Sequence, residues 1–207
     1  MRVQPRYKLP FAPRAASIGL FGGSFDPAHD GHVQVTQNAL RRLRLDQVWW
    51  LVSPGNPLKH HGPAPLAMRM DHARCAMQHP RVQITDFEEK ISTRYTADTL
   101  SAIRHLYPEQ RFVWIMGADN LASFHLWENW RAIIEAMPLA VVARPGQQLR
   151  ALSSVAARAM AKARLPERHA HLLARAAPPA WCFLNIPMLD VSSSRLREAG
   201  VWQAVKT

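Results

Sequence analysis

The chain has 207 residues, of which 48% are hydrophobic and 20% are charged, and its formal net charge at pH 7 is +11. This length fits one domain, and the composition is typical of a globular protein with an ordinary core. No apolar run approaches the ~20 residues of a transmembrane helix, so we expect no membrane association. Two cysteines cannot form a disulfide framework, which favours a reducing cytoplasm.

The basic residues are concentrated near the two ends of the chain. Residues 1–17 contain Arg2, Arg6, Lys8 and Arg14 and no acid, and we predict a basic N-terminal arm there, followed by a single domain over 18–207. The positive charge suits polyanions in general, including ATP and mononucleotides. Because the aromatic and basic spacing of RNA-binding modules is missing, nucleic acid is not favoured as a partner.

Strand-like and helix-like segments alternate along the chain, which predicts an α/β fold with a parallel sheet. The predicted strands are 18–22, 47–52, 82–85, 112–116, 139–143 and 181–184. The predicted helices are 33–45, 66–78, 97–106, 126–136, 149–177 and 192–199. Ligands of such sheets bind beyond the carboxyl ends of the strands, where the motifs of this chain are found.

The most informative motif follows the first predicted strand and reads Gly-Gly-Ser-Phe-Asp-Pro-Ala-His-Asp-Gly-His over 22–32. Glycines let the backbone approach a ligand closely and adopt positive φ, and Pro27 should stiffen the loop. His29 and His32 can share one face of a helix's first turn, where free N–H groups favour phosphate.

Zinc binding and the common glycine-rich phosphate loops fit this stretch less well. A zinc site needs about four Cys or His ligands, and Cys75 and Cys182 are far apart, so we assign no metal ligand. The chain contains no Walker A motif, and no G-x-G-x-x-G follows the first strand. Histidines, helix ends and arginines must therefore bind the phosphates.

This stretch resembles the signature of the adenylyl- and cytidylyltransferases that share a His-x-Gly-His motif, and within them the bacterial nicotinate-nucleotide adenylyltransferases. The resemblance implies a Rossmann-like nucleotidyltransferase fold and transfer of AMP from ATP, with Mg²⁺, to nicotinate mononucleotide in NAD biosynthesis. It implies that His29 and His32 are catalytic. The implied ATP contacts in this segment are Gly22, Gly23, Ser24 and Phe25.

A second motif, Val-Ser-Ser-Ser-Arg-Leu-Arg over 191–197, resembles the Ile-Ser-Ser-Thr-x-Ile-Arg signature of the same family. The resemblance implies that Ser192 and Ser193 bind the β,γ-phosphates of ATP and that Arg197 is catalytic. Ser194 stands where the family usually has threonine. Considered alone, such a run is more often an ordinary capped surface helix.

Three further blocks complete the resemblance. The Gly-x-Asp-x-Leu block implies a ribose contact by Asp119, for which a helix N-cap is the alternative role, and Trp127 would stack on the pyridine ring while Trp130 packs in the core. Tyr95 and Thr96 would lie against the nicotinate carboxylate. The remaining implied ATP contacts are Lys59, in the Pro-rich loop after the second strand, and Arg144, beside the adenine pocket.

Two alternatives stay open at this stage: a sibling enzyme with another acceptor, such as nicotinamide mononucleotide or phosphopantetheine, and a non-catalytic nucleotide- or RNA-binding relative. The tail 198–207 departs from the family pattern and could loosen the helix that bears Arg197. The sequence leaves a homo-oligomer open.

Overall fold

A parallel sheet runs through the middle of the protein. The computed structural model describes residues 9–55, 62–143, 146–187 and 191–202. Within these ranges the sheet has seven strands in the order β3-β2-β1-β4-β5-β7-β6, and every neighbouring pair is parallel. The strands are β1 Ser17–Gly23, β2 Gln47–Val52, β3 Val82–Thr85, β4 Arg111–Gly117, β5 Leu139–Val142, β6 Arg164–Leu165 and β7 Trp181–Leu184. The predicted α/β class is confirmed.

The strands are buried on both faces, which explains their nearly continuous apolar sequences. Along β2, Trp49 and Leu51 belong to the core on one face of the sheet. Val48 and Trp50 belong to the core on the other face, and all four side chains are fully buried. Alternation with a period of two thus supplies two separate apolar layers from a single strand.

Nine helices flank the sheet in the described ranges. They are α1 Asp30–Arg42, α2 Leu66–Ala76, α3 Phe87–Lys90, α4 Thr96–Leu106, α5 Ala118–Ser123, α6 Trp130–Ala136, α7 Gln148–Leu152, α8 Val155–Ala159 and α9 Ser193–Glu198. Short 3-10 helices cover Phe124–Leu126, Ala161–Ala163 and Glu167–Arg175. None of the helices that the structure describes is long and apolar enough to cross a membrane.

The chain order of the strands reverses beside β1. After β1 the chain adds β2 and β3 on one side, and it then returns to place β4 on the other side. The loops that leave β1 and β4 therefore diverge and leave a crevice between them, which is the usual ligand site of open α/β sheets. The His29 motif follows β1 directly, and Asp119 follows β4.

The predicted helix 33–45 is shifted by three residues, since α1 is Asp30–Arg42, and two other predicted helices differ more strongly from the structure. The segment 149–177 is not one helix but α7, α8, two 3-10 helices and the unpredicted strand β6. Ser154 starts a new helix because its side chain accepts a hydrogen bond from Ala157 N–H, and Pro166 prevents a continuous helix. The predicted helix 126–136 begins only at Trp130, because Asn129 adopts a left-handed conformation with φ of 51°.

The described part of the N-terminal arm lies against the sheet edge and α4. The side-chain amide of Gln83 in β3 accepts from Phe11 N–H at 2.9 Å and donates to the Phe11 carbonyl at 2.6 Å. The Tyr107 hydroxyl donates to the Pro10 carbonyl at 2.8 Å. Burial raises the pKa of Tyr107 to about 12, so this donor stays protonated over the neutral range.

Candidate active site

The first turn of α1 is built by the two histidines themselves. His29 is the N-cap, and its Nδ1 accepts a hydrogen bond from Gly31 N–H at 3.1 Å. His32, three residues on, accepts from His29 N–H through its own Nδ1 at 3.2 Å. This reciprocal capping places the start of the helix at Asp30, three residues before the predicted one.

The capping bonds determine the proton positions on the two rings. A ring nitrogen that accepts a hydrogen bond has no proton, so each neutral imidazole is protonated at Nε2. The ring centroids of His29 and His32 lie 3.9 Å apart, and both residues are buried, with exposed fractions of 7% and 8%. The two rings are thereby held next to each other at a helix N-terminus, a place suited to an anion.

The glycine between the histidines leaves room for the first ring. A Cβ at Gly31 would lie 2.9 Å from the Nδ1 and Cε1 atoms of His29, and 3.2 Å from a methyl group of Val191. Any larger residue would push the His29 ring away from its cap position. The spacing His-x-Gly-His is therefore a steric requirement of this turn.

The two glycines at the end of β1 act differently from our prediction. Gly22 and Gly23 both lie within β1, and positive φ occurs at Phe25 instead, at 46°, so the expected glycine φ is wrong. A Cβ at Gly22 would lie 2.3 Å from the indole of Trp114, which fills that space. Gly22 thus allows close packing of β4 against β1.

Ser24 and Phe25 continue the chain toward α1. The Phe25 ring is 1% exposed and stacks on Trp50 with centroids 4.6 Å apart. Only the backbone of Phe25 could meet ATP, because its ring belongs to the core. The Ser24 carbonyl accepts a hydrogen bond from the guanidinium of Arg69.

Helix α9 closes over the turn that precedes the histidines. Ser192 is the N-cap of α9 and accepts from Arg195 N–H at 3.3 Å, while the Ser193 hydroxyl donates to the Pro27 carbonyl at 2.9 Å. Arg197 donates to the Asp26 carbonyl and also to the hydroxyl of Ser194, the latter at 3.1 Å. The structure thus brings the second motif directly against the first.

A buried arginine that the sequence did not single out connects the loops after β1 and β2. Arg69 in α2 is 0% exposed, and its guanidinium donates to the carbonyls of Ser24 at 2.6 Å and Ser53 at 2.8 Å. It also donates to Ala64 at 2.7 Å and Pro54 at 3.2 Å. Burial lowers the pKa of Arg69, and the nearby Asp26 carboxylate partly opposes that shift.

Asp119 and Trp127 follow β4 at the other side of the crevice. Asp119 lies in the first turn of α5 and is exposed; the N-cap of that helix is Gly117, so the alternative N-cap role of Asp119 is wrong. Trp127 is half-buried and packs edge-on against Phe124 with centroids 5.4 Å apart. Trp130 is 8% exposed and belongs to the core, as predicted.

Tyr95 and Thr96 form the start of α4. Tyr95 is the N-cap and is 44% exposed, and its carbonyl accepts from the Thr99 hydroxyl at 3.2 Å. Thr96 is the first residue of an 11-residue helix, whose initial N–H groups can bind a carboxylate. Helix α4 packs against α6, the helix that follows Trp127.

Two predicted ATP contacts, Lys59 and Arg144, lie outside the described residues. The remaining site residues come from three regions. The first is the end of β1 with the loop and first turn of α1 that follow it, and the second is α9 with its N-cap. The third comprises the starts of α4 and α5 and the segment before α6. The first two are in direct contact through Asp26 and Pro27.

The strand order and the histidine-capped helix after β1 define the fold of a nucleotidyltransferase. In agreement, the model of a family described as cytidylyltransferase-like matches residues 20–199. The "Probable nicotinate-nucleotide adenylyltransferase" of Ruegeria pomeroyi is 58% identical over 201 residues, covering 97% of this chain and 94% of the relative. The protein of the same name from Brucella abortus is 49% identical over 189 residues, covering 91% and 97%.

Solved structures agree with these relatives at the level of the fold. Plasmodium falciparum nicotinic acid mononucleotide adenylyltransferase, in a structure complexed with NaAD, aligns with a TM-score of 0.69 at 18% identity, covering 88% of this chain and 83% of that chain. The chain therefore belongs to the cytidylyltransferase-like family and, within it, to the nicotinate-nucleotide adenylyltransferases.

Proposed function

We propose that this protein transfers AMP from ATP to nicotinate mononucleotide, which yields nicotinate adenine dinucleotide and pyrophosphate in NAD biosynthesis. The observation that carries the proposal is the reciprocal capping of α1 by His29 and His32, which holds both buried rings at the helix N-terminus that follows β1. The near full-length identity of 58% to a nicotinate-nucleotide adenylyltransferase supports the choice of acceptor.

The reaction is a direct displacement at the α-phosphorus of ATP. An oxygen of the mononucleotide's 5′-phosphate forms a bond to this phosphorus, while the bond to the α,β-bridging oxygen breaks and pyrophosphate leaves with the electron pair. Since the attacking phosphate is already an anion, no general base is needed. Catalysis then consists of positioning the reactants and stabilising the charge that develops on the phosphate oxygens.

The two histidines donate hydrogen bonds to the α- and β-phosphates. Because the backbone already holds both rings, little reorganisation is needed when charge moves onto these oxygens. Arg197 lies one turn into α9 and binds the β,γ-phosphates together with Ser192 and Ser193. An arginine presents several N–H donors in a fixed plane, which suits a departing pyrophosphate.

The acceptor would bind at the starts of α4 and α6. Trp127 stacks on its pyridine ring, and the backbone at Tyr95 and Thr96 binds the nicotinate carboxylate. Asp119 accepts from a ribose hydroxyl. Lys59 and Arg144 complete the ATP site as a phosphate contact and as the border of the adenine pocket.

ATP is used as its magnesium complex. Mg²⁺ would be held mainly by phosphate oxygens and water, so the protein need supply few ligands, and when bound it would offset negative charge on the phosphates. We assign the reaction to the cytoplasm, since a reducing compartment suits two free cysteines, Cys75 and Cys182.

Product analysis with one variant tests the proposal. The unchanged protein is expected to form nicotinate adenine dinucleotide and pyrophosphate in a one-to-one ratio. His32→Ala is expected to lower kcat by about 10²- to 10³-fold, the usual cost of removing one donor to a transition-state oxyanion. Urea unfolding shows whether the variant is folded. Absence of the dinucleotide product, or undiminished turnover by His32→Ala, would overturn the proposal.

A further inference from the structure

The tail beyond the family match touches the phosphate site. Trp202 lies past residue 199, where the match to the family ends, and its indole Nε1 donates to Oδ1 of Asp26 at 2.7 Å. Asp26 belongs to the turn between β1 and the histidine-capped helix, and it is only 7% exposed. A residue 176 positions away thus determines where this carboxylate lies.

The other oxygen of the same carboxylate faces the catalytic arginine. Asp26 Oδ2 lies 3.7 Å from Arg197 Nη1, and the same nitrogen donates to the Asp26 backbone carbonyl. Because the arginine side chain is 35% exposed, it can still reach a ligand from this position. A guanidinium has five N–H donors, so contacts with Asp26 and Ser194 leave donors for phosphate oxygens.

The Trp202 ring also contacts a second residue, His72, besides Asp26. It meets the His72 ring edge-on, with centroids 4.7 Å apart and an interplanar angle of 64°. His72 is part of α2, the helix that also carries the buried Arg69. The indole is therefore placed by α2, and its N–H is directed at the carboxylate.

We infer that Trp202 is a positioning residue for ATP binding: it fixes the Asp26 carboxylate, which in turn holds the Arg197 guanidinium ready for the triphosphate. An arginine that is already ordered loses less side-chain entropy when it binds a phosphate. The inference rests on the proposed function only in that Arg197 meets ATP.

The direct test is calorimetric titration of ATP into Trp202→Phe, which keeps an aromatic ring against His72 but removes the N–H donor. We expect about fivefold to tenfold weaker binding. This is less than the full contribution of a hydrogen bond to a charged group, because Trp202 acts on ATP only through Asp26 and Arg197. The KM for ATP should rise by a similar factor, whereas kcat and the KM for the acceptor should change by less than about twofold.

A matched control makes the same chemical change in β7, which is separated from β1 by β4 and β5. Trp181 begins β7 and donates from its indole to the Met160 carbonyl at 2.8 Å, so Trp181→Phe also removes one indole hydrogen bond. Its ATP affinity should equal that of the unchanged protein, whatever the loss of stability. An equal loss of affinity in both variants would reduce Trp202 to a general stabilising role and overturn the inference.

A double variant tests whether the loss of ATP affinity in Trp202→Phe depends on Asp26. In an Asp26→Asn background the carboxylate charge is gone, so adding Trp202→Phe should weaken ATP binding by less than about twofold. An unchanged ATP affinity in Trp202→Phe alone, or the same weakening in both backgrounds, would contradict the inference. Since ATP binding is measured without an acceptor, failure of the proposed reaction would leave this test intact.

Discussion

At the scale of single residues, the site depends on backbone groups that hold side-chain rings. Gly31 N–H binds the Nδ1 of His29, and His29 N–H binds the Nδ1 of His32. These two bonds set the tautomer and the direction of both imidazoles. A substitution that moves one ring therefore changes the direction in which that ring donates a hydrogen bond, and it removes no ionisable group.

Gly31→Ala tests this dependence. The added Cβ would lie 2.9 Å from the His29 ring, so the ring must shift, and we expect kcat to fall by about 10- to 100-fold. Alanine is the better helix former, so the free energy of unfolding should change by less than about 1 kcal/mol. Steady-state kinetics and urea unfolding measure the two quantities.

Gly62→Ala is the matched control for that variant, because a Cβ at Gly62 meets no atom within 4 Å. This control should keep the activity of the unchanged protein. Full activity in Gly31→Ala would show that the His29 ring position does not matter for turnover.

Glu88 gives a pH dependence to stability. It is 7% exposed, and burial raises its pKa from 4.5 to about 7. The folded state thus binds the proton more tightly than the unfolded state. Its contribution to stability is fully present below pH 4.5 and is lost as the pH rises through about 7.

Glu88→Gln should therefore be more stable than the unchanged protein at pH 8, by about 3 kcal/mol at 1.36 kcal/mol per pKa unit. The difference should shrink as the pH falls toward 4.5. Urea unfolding across this range measures it, with the exposed Glu89→Gln as the control. A difference that is independent of pH would show that the ionisation of Glu88 is not responsible.

At the scale of elements, α2 joins two loops at the carboxyl ends of neighbouring strands. Its Arg69 donates to carbonyls of the loop after β1 and of the loop after β2. Because the guanidinium is fully buried, losing these partners would leave both a charge and several carbonyls unsatisfied.

Arg69→Lys should destabilise the fold by about 3 kcal/mol, since a single ammonium cannot reproduce the planar set of donors. The free energy of unfolding in urea measures this loss. Arg74→Lys, in the same helix but with an exposed side chain paired with Asp71, should change it by less than about 0.5 kcal/mol. Equal free energies of unfolding for the two variants would show that the buried Arg69 guanidinium does not stabilise the fold through its hydrogen bonds.

The elements also show what the sequence could predict. The strands of the sheet other than β6 were found within one residue at either end, because buried parallel strands are short apolar runs between turn residues. The helix over 149–177 was wrong, since its high alanine content concealed the breaks at Ser154 and Pro166. Composition favours a helix there, whereas side-chain capping and proline geometry end it.

The local geometry of the candidate site was predictable where a motif is short. The spacing of His29 and His32 indicated a helix start, because the backbone N–H groups that bind the two rings are only two or three residues away from them. The buried Arg69 and the contact of Trp202 with Asp26 depend on residues up to 176 positions apart. No local pattern identifies such contacts, so only the three-dimensional structure reveals them.

At the scale of the whole molecule, the strand order places the site. The strand order reverses beside β1, and sheets with such a reversal have a crevice there. The histidine-capped helix α1 lies on one side of this point, and α5, which follows β4, lies on the other. The net charge of +11 also favours the approach of ATP, a mononucleotide and other polyanions to the protein. Fold and charge suit nucleotide chemistry in general, and only the acceptor pocket distinguishes one substrate from another.

A competition assay tests the acceptor most directly. Nicotinate mononucleotide, nicotinamide mononucleotide and phosphopantetheine are supplied at equal concentrations with limiting ATP and Mg²⁺, and the adenylylated products are separated and counted. Their ratio equals the ratio of the kcat/KM values. We expect nicotinate adenine dinucleotide to exceed the other products by at least about 100-fold. Equal amounts, or an excess of another product, would contradict the assignment of Tyr95, Thr96 and Trp127 to a nicotinate pocket.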